Sequence, residues 1–111
     1  MATYTPKQLC ASSQLGTTVS TYYTVPASTT AIIKQILLSN VTSTDATATI
    51  HFVPSAGSAS ASNKTFGEIV VTANTTQVID LSSVLPTGAT IQALAGTSTA
   101  INIHISGVEA T

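Results

Sequence analysis

The sequence predicts an all-β protein, a single antiparallel β-sandwich of about seven strands that is immunoglobulin-like or jelly-roll-like. Short runs of β-branched residues alternate with turn residues every 8 to 15 positions, a spacing typical of sandwiches and barrels. No segment shows a helical period of apolar residues. With 111 residues and 43% of them apolar, the chain can build one compact core.

The first predicted strands occupy residues 17–25, closed by Pro26, and residues 30–39. In the second of these, strict alternation places Ile32, Ile36 and Leu38 on one face and Ile33 and Leu37 on the other. A strand that is apolar on both faces is expected to be central in its sheet or covered by a second layer.

A turn at residues 40–45 precedes a well-alternating strand at 46–53, which Pro54 ends. Its Ala48, Ile50 and Phe52 point one way, and the polar side chains between them point the other. Residues 55–63 are a run of serine, alanine and glycine that ends in asparagine. We expect this segment to be an exposed, mobile loop.

Three of the remaining predicted strands occupy residues 66–73, 77–81 and 90–95, and the clearest one occupies 99–106. There Ile101, Ile103 and Ile105 alternate with small or polar residues, the signature of a half-buried strand. Turns are expected at Asn74 and around Gly88, since asparagine and glycine tolerate positive φ. The order of the strands cannot be deduced from alternation.

The predicted domain organisation is an N-terminal arm at residues 1–14 and a single sandwich at residues 15–111, because the first fourteen residues lack a strand pattern. No basic region followed by an apolar stretch opens the sequence, and no apolar run approaches the ~18 residues that span a bilayer. We therefore expect neither a signal peptide nor a membrane partner.

Charge is scarce, and this excludes several functions. Only 6% of the residues are charged, against about a quarter in ordinary proteins, and there is no arginine. Serine and threonine together make 35 of the 111 residues. Nucleic-acid binding and phosphoryl transfer both need clustered cations, so neither is expected.

The sequence contains no convincing catalytic or metal-binding set, so we expect no enzyme activity, no metal and no cofactor. His51 and His104 fall on polar faces of predicted strands and are interpreted as surface histidines. No further ligand has the right spacing for a metal site with them. Asp80 and Glu68 form only a weak candidate for a glycosidase pair, and Cys10, the single cysteine, is expected to be a buried apolar residue.

Candidate interface residues come from the aromatic side chains and from the small-residue loop. Tyr22 and Tyr23 are adjacent, so in a strand one should face the core and the other should be exposed or at a contact. The full set of candidates is Tyr4, Tyr22, Tyr23, Ser55, Gly57 and Asn63.

Five stretches of the sequence share the pattern of a known family: ILLSN (36–40), IHFVPSAGS (50–58), IDL (79–81), VLPTGATIQA (84–93) and IHISGVE (103–109). Together they resemble small β-sandwich virion structural proteins of tailed bacteriophages, of the capsid decoration (cement) or neck and tail accessory type. The resemblance covers roughly residues 24–109 and is a pattern of strands and turns. The residues before Thr24 match least.

The resemblance implies a non-enzymatic virion protein, assembled in the host bacterial cytoplasm, that decorates and stabilises the capsid. Its partners would be the major capsid protein or neck and tail proteins. A homo-oligomer is expected, a trimer being one form. The alternative is a neck, tail or fibre subunit, or an adhesin module that binds a host surface glycan. Nearly neutral, hydroxyl-rich faces suit protein contacts, because few charges must be desolvated, and edges without rows of lysine suit strands that neighbours cover.

Overall fold

A computed structural model describes residues 3–111 of the chain and contains eight β-strands. The strands are β1 (Tyr4–Gln14), β2 (Ser20–Thr24), β3 (Thr30–Asn40), β4 (Ala46–Val53), β5 (Lys64–Val71), β6 (Thr76–Leu85), β7 (Thr90–Ala95) and β8 (Ile101–Ala110). One 3₁₀ turn, Ala61–Asn63, precedes β5. No helix in the described residues is long and apolar enough to cross a membrane.

The strands form two four-stranded antiparallel sheets, which confirms the predicted β-sandwich. The first sheet has the order β1-β8-β3-β6 and the second has the order β2-β7-β4-β5. The pairs are nested: β4 pairs with β5, β3 with β6, β2 with β7 and β1 with β8. The two halves of the chain therefore run antiparallel to each other, and the resulting pairs of strands alternate between the two sheets. This is the jelly-roll arrangement.

The core lies between the two sheets and is built from the inward positions that alternation provides. Isoleucines of β8 share one buried cluster with apolar residues of β3 on their own sheet and of β4 and β7 on the other. Its largest fully buried side chains are Leu15, Val25, Ile33, Ile36, Leu38, Ile50, Val71, Ile91, Ile101, Ile103 and Ile105.

Where the sequence predicts an N-terminal arm, the structure has an edge strand. Residues 4–14 form β1, which pairs with β8 from Tyr4↔Ala110 to Gln14↔Asn102. Two register shifts, one between Gln8 and Cys10 and one between Cys10 and Ser13, interrupt the ladder. Such irregularities break the two-residue period by which a strand is recognised. Met1 and Ala2, also part of the predicted arm, lie outside the described residues.

The faces predicted for β3 are wrong in its first half. The fully buried residues are Ile33, Ile36 and Leu38, whereas Ile32 and Leu37 are half-buried on the outer face. The pairings of β3 with both neighbours shift register between Ile33 and Gln35. The irregularity at this point changes the phase of the strand, so that Ile33 and Ile36, three positions apart, share the inner face, while the two-residue alternation holds on either side of it.

Candidate interaction surface

A row of apolar side chains crosses the outer face of the first sheet. The register aligns Pro6 of β1 with Val108 of β8, Val108 with Ile32 of β3, and Ile32 with Val84 of β6. At about 4.8 Å between strands, the row is about 14 Å wide. Pro6 is exposed, Val84 is 61% exposed, and the two central side chains are half-buried. We call these four residues the apolar row.

Next to the apolar row lies a polar row. Two of the chain's few charges lie here, one in the row and one beside it. Gln35 pairs with Ser106 on one side and with Asp80 on the other, and its amide nitrogen donates to Asp80 Oδ1 at 3.1 Å. Beside it, the Lys34 ammonium donates to Ser82 Oγ at 2.8 Å. Both charged groups therefore lie on the outer face close to the β6 edge.

A shallow depression of about 260 Å³ lies further along the same sheet. The His104 ring lies 3.4 Å from Ser12 Oγ and 3.4 Å from Gln8 Nε2, measured at Nδ1. Most of the side chains that line it are polar and able to hydrogen-bond. The lining residues are Ser12, Leu37, Ser39, Thr76, Asn102, Ile103 and His104.

His51 is not a surface histidine, contrary to the interpretation from sequence. It is 6% exposed on the outer face of the second sheet, and its Nδ1 lies 3.0 Å from Asn63 Oδ1. The segment between β4 and β5 folds back over β4 and covers the ring. The burial of His51 depends on how the following loop packs, and the alternation of residues within β4 carries no information about that packing.

The loop of residues 55–63 is exposed, as predicted, and Asn63 organises it. The Asn63 side chain accepts from the Ser60 backbone N–H at 3.0 Å and donates to the Ser58 carbonyl at 2.8 Å. Ser55 and Gly57 are exposed in the same loop, and the Gly57 N–H donates to the Pro54 carbonyl at 2.9 Å. Of the three residues of this loop that the sequence predicts at an interface, Asn63 thus makes its hydrogen bonds within the chain. Contacts of Ser55 and Gly57 with a partner stay a prediction.

The three tyrosines lie in different environments. Tyr4 is 66% exposed near the end of β1. Tyr22 packs partly against the core, and its hydroxyl donates to the Gln14 carbonyl at 3.4 Å. Tyr23 is buried. Tyr4 is therefore the tyrosine whose ring is free to meet a partner, and it lies one row beyond Pro6 of the apolar row.

A buried carboxylate sits at the β1–β2 side of the sandwich. Glu109 is 8% exposed, accepts from the Tyr23 hydroxyl at 2.6 Å and pairs with the Lys7 ammonium at 3.1 Å. The hydrogen bond from Tyr23, with help from the Lys7 charge, lowers the pKa of Glu109 against the opposing effect of burial. Burial and the neighbouring carboxylate raise the pKa of Tyr23. The group stays ionised and ties three strands together.

The two acidic residues predicted as a candidate pair lie on different sheets of the sandwich. Within residues 3–111 no three histidine, cysteine or acidic side chains group as metal ligands. Asp80 lies on β6 of the first sheet and is bonded to Gln35, whereas Glu68 lies on β5 of the second sheet. Cys10 is buried, and burial raises the pKa of its thiol, which disfavours the reactive thiolate.

Sequence reasoning missed both the apolar row and the role of Glu109. The sequence pattern places Pro6 in the predicted arm and Ile32 on the same face as Ile36, so it gives no sign that the row is continuous. Glu109 follows the last predicted strand, yet β8 continues to Ala110. The available signal was the two-residue period of Ile103 and Ile105, which continues through Gly107 to Glu109 and places Glu109 on the inner face.

The nested pairing defines the chain as an eight-stranded jelly-roll protein. No family model matches the chain, and no curated protein matches it. Solved structures do share its fold. One is from Bacillus endospore appendages, described as a family of disulfide-linked pili. It is 18% identical with a TM-score of 0.51, and the match covers 99% of this chain and 88% of that chain.

A second similar structure is a chain of infectious bursal disease virus, strain Gx. It is 16% identical with a TM-score of 0.51, and the match covers 99% of this chain but 31% of the virus chain. The present protein thus spans about a third of the length of that chain. At these identities the similarity establishes a shared fold, one found in a pilus protein and in a virus protein.

Proposed function

We propose that this protein is a non-enzymatic structural subunit of a bacteriophage virion, most specifically a decoration or cement protein that binds the assembled capsid. It would act through protein contacts, with the major capsid protein and other copies of itself as partners. The fold it shares with a pilus protein and a virus protein supports a structural role. The resemblance of its sequence motifs to phage virion proteins supports a place for the protein in a phage particle.

The observation that carries this proposal is the apolar row. Pro6, Val108, Ile32 and Val84 cross a whole sheet face without a charge among them. The row is a continuous, partly exposed apolar strip, and apolar strips on the surface of a small protein are typical of interaction sites. Tyr4, 66% exposed beside the row, adds the type of side chain that is enriched at protein interfaces.

Reconstruction of the virion by cryo-electron microscopy tests the proposal directly. We expect density for this jelly roll on the outer capsid surface, with the first sheet facing the capsid. Hundreds of copies per particle would support decoration. Absence of the chain from purified particles would overturn the proposal.

A binding assay with particles that lack the protein tests the apolar row itself. Val108→Lys places a charge in the middle of the row and should reduce attachment about tenfold or more. Val70→Lys is the matched control, because Val70 is 58% exposed on the other sheet, and it should bind as the unmodified protein does. Thermal unfolding of both variants verifies that they fold. Equal binding by both would contradict a role for the row.

The depression beside His104 favours a second candidate function, an adhesin module on the neck, tail or fibre that binds a host glycan. Its serine, threonine, asparagine and histidine side chains offer the donors and acceptors that a neutral sugar needs. Binding of the isolated protein to a glycan array, lost in Asn102→Ala, would support this function. No binding on the array, together with hundreds of copies of the protein per particle, would count against this function.

A further inference from the structure

The four edge strands of the sandwich differ in how well they are protected from pairing with another chain. Edge β1 contains Pro6 and Lys7 and has two register shifts. Edge β2 has only five residues and one shift. Edge β5 contains Lys64 and Gly67, has two shifts in its pairing with β4, and holds Glu68 at φ 45°. Proline, lysine, shortness and bulges are the usual means of blocking an edge.

Edge β6 carries almost none of these protections. Its ten residues include no proline, glycine or lysine, and Asp80 is its one charge. The register shift opposite Lys34 lies on its inner side, toward β3. Its exposure nevertheless alternates without interruption from Val78 to Leu85, with even-numbered residues exposed. The outward edge of β6 is thus a long template for a further strand.

A second copy of β6 fits this edge best in the antiparallel register centred on Leu81. In a two-fold pairing that continues the sheet, exposed residues must face exposed residues, so the two-fold axis lies midway between the two copies of one residue. An axis at Asp80 places two carboxylates directly opposite each other, which is unfavourable. An axis at Leu81 places Val78 opposite Val84 and Asp80 opposite Ser82. It also lets residues 77–85 of both copies pair fully.

Charge complementarity favours the register centred on Leu81. The Lys34 ammonium lies 2.8 Å from Ser82 Oγ, and in this register Ser82 faces Asp80 of the second copy. Residues directly opposite have Cβ atoms about 5 Å apart, so Lys34 can reach that carboxylate. The ion pair found within residues 3–111 is Lys7–Glu109, which leaves Lys34 and Asp80 available. The symmetry would form two such pairs.

We propose that β6 pairs with β6 of a second copy across a two-fold axis at Leu81, joining two first sheets into one eight-stranded sheet. Val78 and Val84, 48% and 61% exposed in the single chain, pack against each other across the junction. The apolar rows of the two copies then lie on the same face of a continuous sheet. This interface goes beyond the proposed function and does not depend on it.

Charge exchange tests the pairing in purified protein by sedimentation equilibrium. The unmodified chain should show a dimer of twice 11.2 kDa that added salt weakens. Asp80→Lys and Lys34→Asp each juxtapose like charges and should raise the dimer Kd about tenfold. The double variant restores opposite charges and should return to within about threefold of the original Kd. If all the variants fold and the double variant does not return toward the original Kd, the assigned register is overturned.

Disulfide trapping tests the same register without relying on charge. With Cys10→Ser as background, the double variant Val78→Cys, Val84→Cys should give a covalent dimer on oxidation. The two cysteines of one chain are six residues apart, about 20 Å along the strand, too far for an internal bond. Each single cysteine variant is the matched control and should link poorly, because it faces a valine.

The outcomes separate this inference from the proposed function. A monomer at concentrations up to about 1 mM, or single variants that link as well as the double variant, would overturn the β6 pairing. The same monomer found on capsids would leave the virion role standing. A dimer that is absent from particles would support the pairing and overturn the virion role.

Discussion

The hydroxyl of Tyr23 donates a hydrogen bond of 2.6 Å to Oε2 of Glu109, and this bond joins the two sheets of the sandwich. Tyr23 lies on β2 of the second sheet and Glu109 on β8 of the first. Lys7 of β1 binds the other carboxylate oxygen at 3.1 Å. A charge this deeply buried is stable only when it is bonded. The contact therefore closes the side of the sandwich at which β1 and β2 form the edges.

Tyr23→Phe should destabilise the protein by about 1.5–3 kcal/mol, because it leaves a buried carboxylate without its shortest hydrogen bond. Urea unfolding followed by circular dichroism measures the change. Tyr22→Phe is the matched control: its hydroxyl makes only a 3.4 Å bond to a carbonyl, and we expect a change under about 0.5 kcal/mol. Equal effects of the two substitutions would show that the Tyr23–Glu109 bond contributes no more to the free energy of unfolding than the Tyr22 bond does.

Stability should fall in acid, and Glu109 should be a main cause. Because the pKa of Glu109 is lowered in the folded chain, its contribution is complete above the unfolded value of about 4.3. It is lost as the pH falls through the folded pKa. The free energy of unfolding, measured from pH 6 to pH 2.5, should therefore drop more steeply in the original protein than in Glu109→Gln. Parallel profiles would contradict this assignment, since the other three acidic residues are common to both proteins.

Gly107→Ala should destabilise the fold by about 3 kcal/mol or more. An added Cβ would lie 2.1 Å from the Ile32 carbonyl oxygen and 3.0 Å from Leu9 Cδ1, and a backbone atom of a central strand cannot move aside cheaply. Gly16→Ala meets nothing within 4 Å and should change stability by less than about 1 kcal/mol. Thermal unfolding of the pair distinguishes them, and similar melting temperatures would contradict the close approach of β3 to β8.

The Cys10 thiol should resist modification while the chain is folded. It is buried, its pKa is raised by that burial, and the thiolate is the reactive form. A thiol reagent that absorbs on reaction should modify Cys10 at least ~10-fold faster in urea than in buffer. A cysteine moved to the exposed position 11, in Ala11→Cys with Cys10→Ser, should react at once in both. Rapid native reaction of Cys10 would show that β1 opens readily.

The sequence was most informative where strands alternate without interruption. On β4, Ala48 and Ile50 face the core as predicted, and on β8 the residues Ile101, Ile103 and Ile105 do so. The turn at Gly88 was also predictable, because its φ of 86° is one that glycine adopts freely. These signals are local, since each depends on residues two or three positions apart.

The candidate site was far less predictable, because its parts come from strands distant in sequence. The apolar row joins Pro6, Ile32, Val84 and Val108 through four strands. The cover over His51 comes from Asn63 in a loop. The register shifts in β1 and β3 added a second difficulty, since one irregular residue reverses every face assignment that follows it.

By itself, the sequence determined that this chain forms one β-sandwich with few charges, because β-branched alternation and composition act along the chain. The tertiary structure alone decided the jelly-roll order, the position of β1 at a sheet edge and the burial of Glu109 beneath Tyr23. Strand order is set by loop closure and by the match of two apolar faces across the core. Those free energies depend on contacts between residues as far apart as Tyr4 and Ala110, which no local pattern encodes.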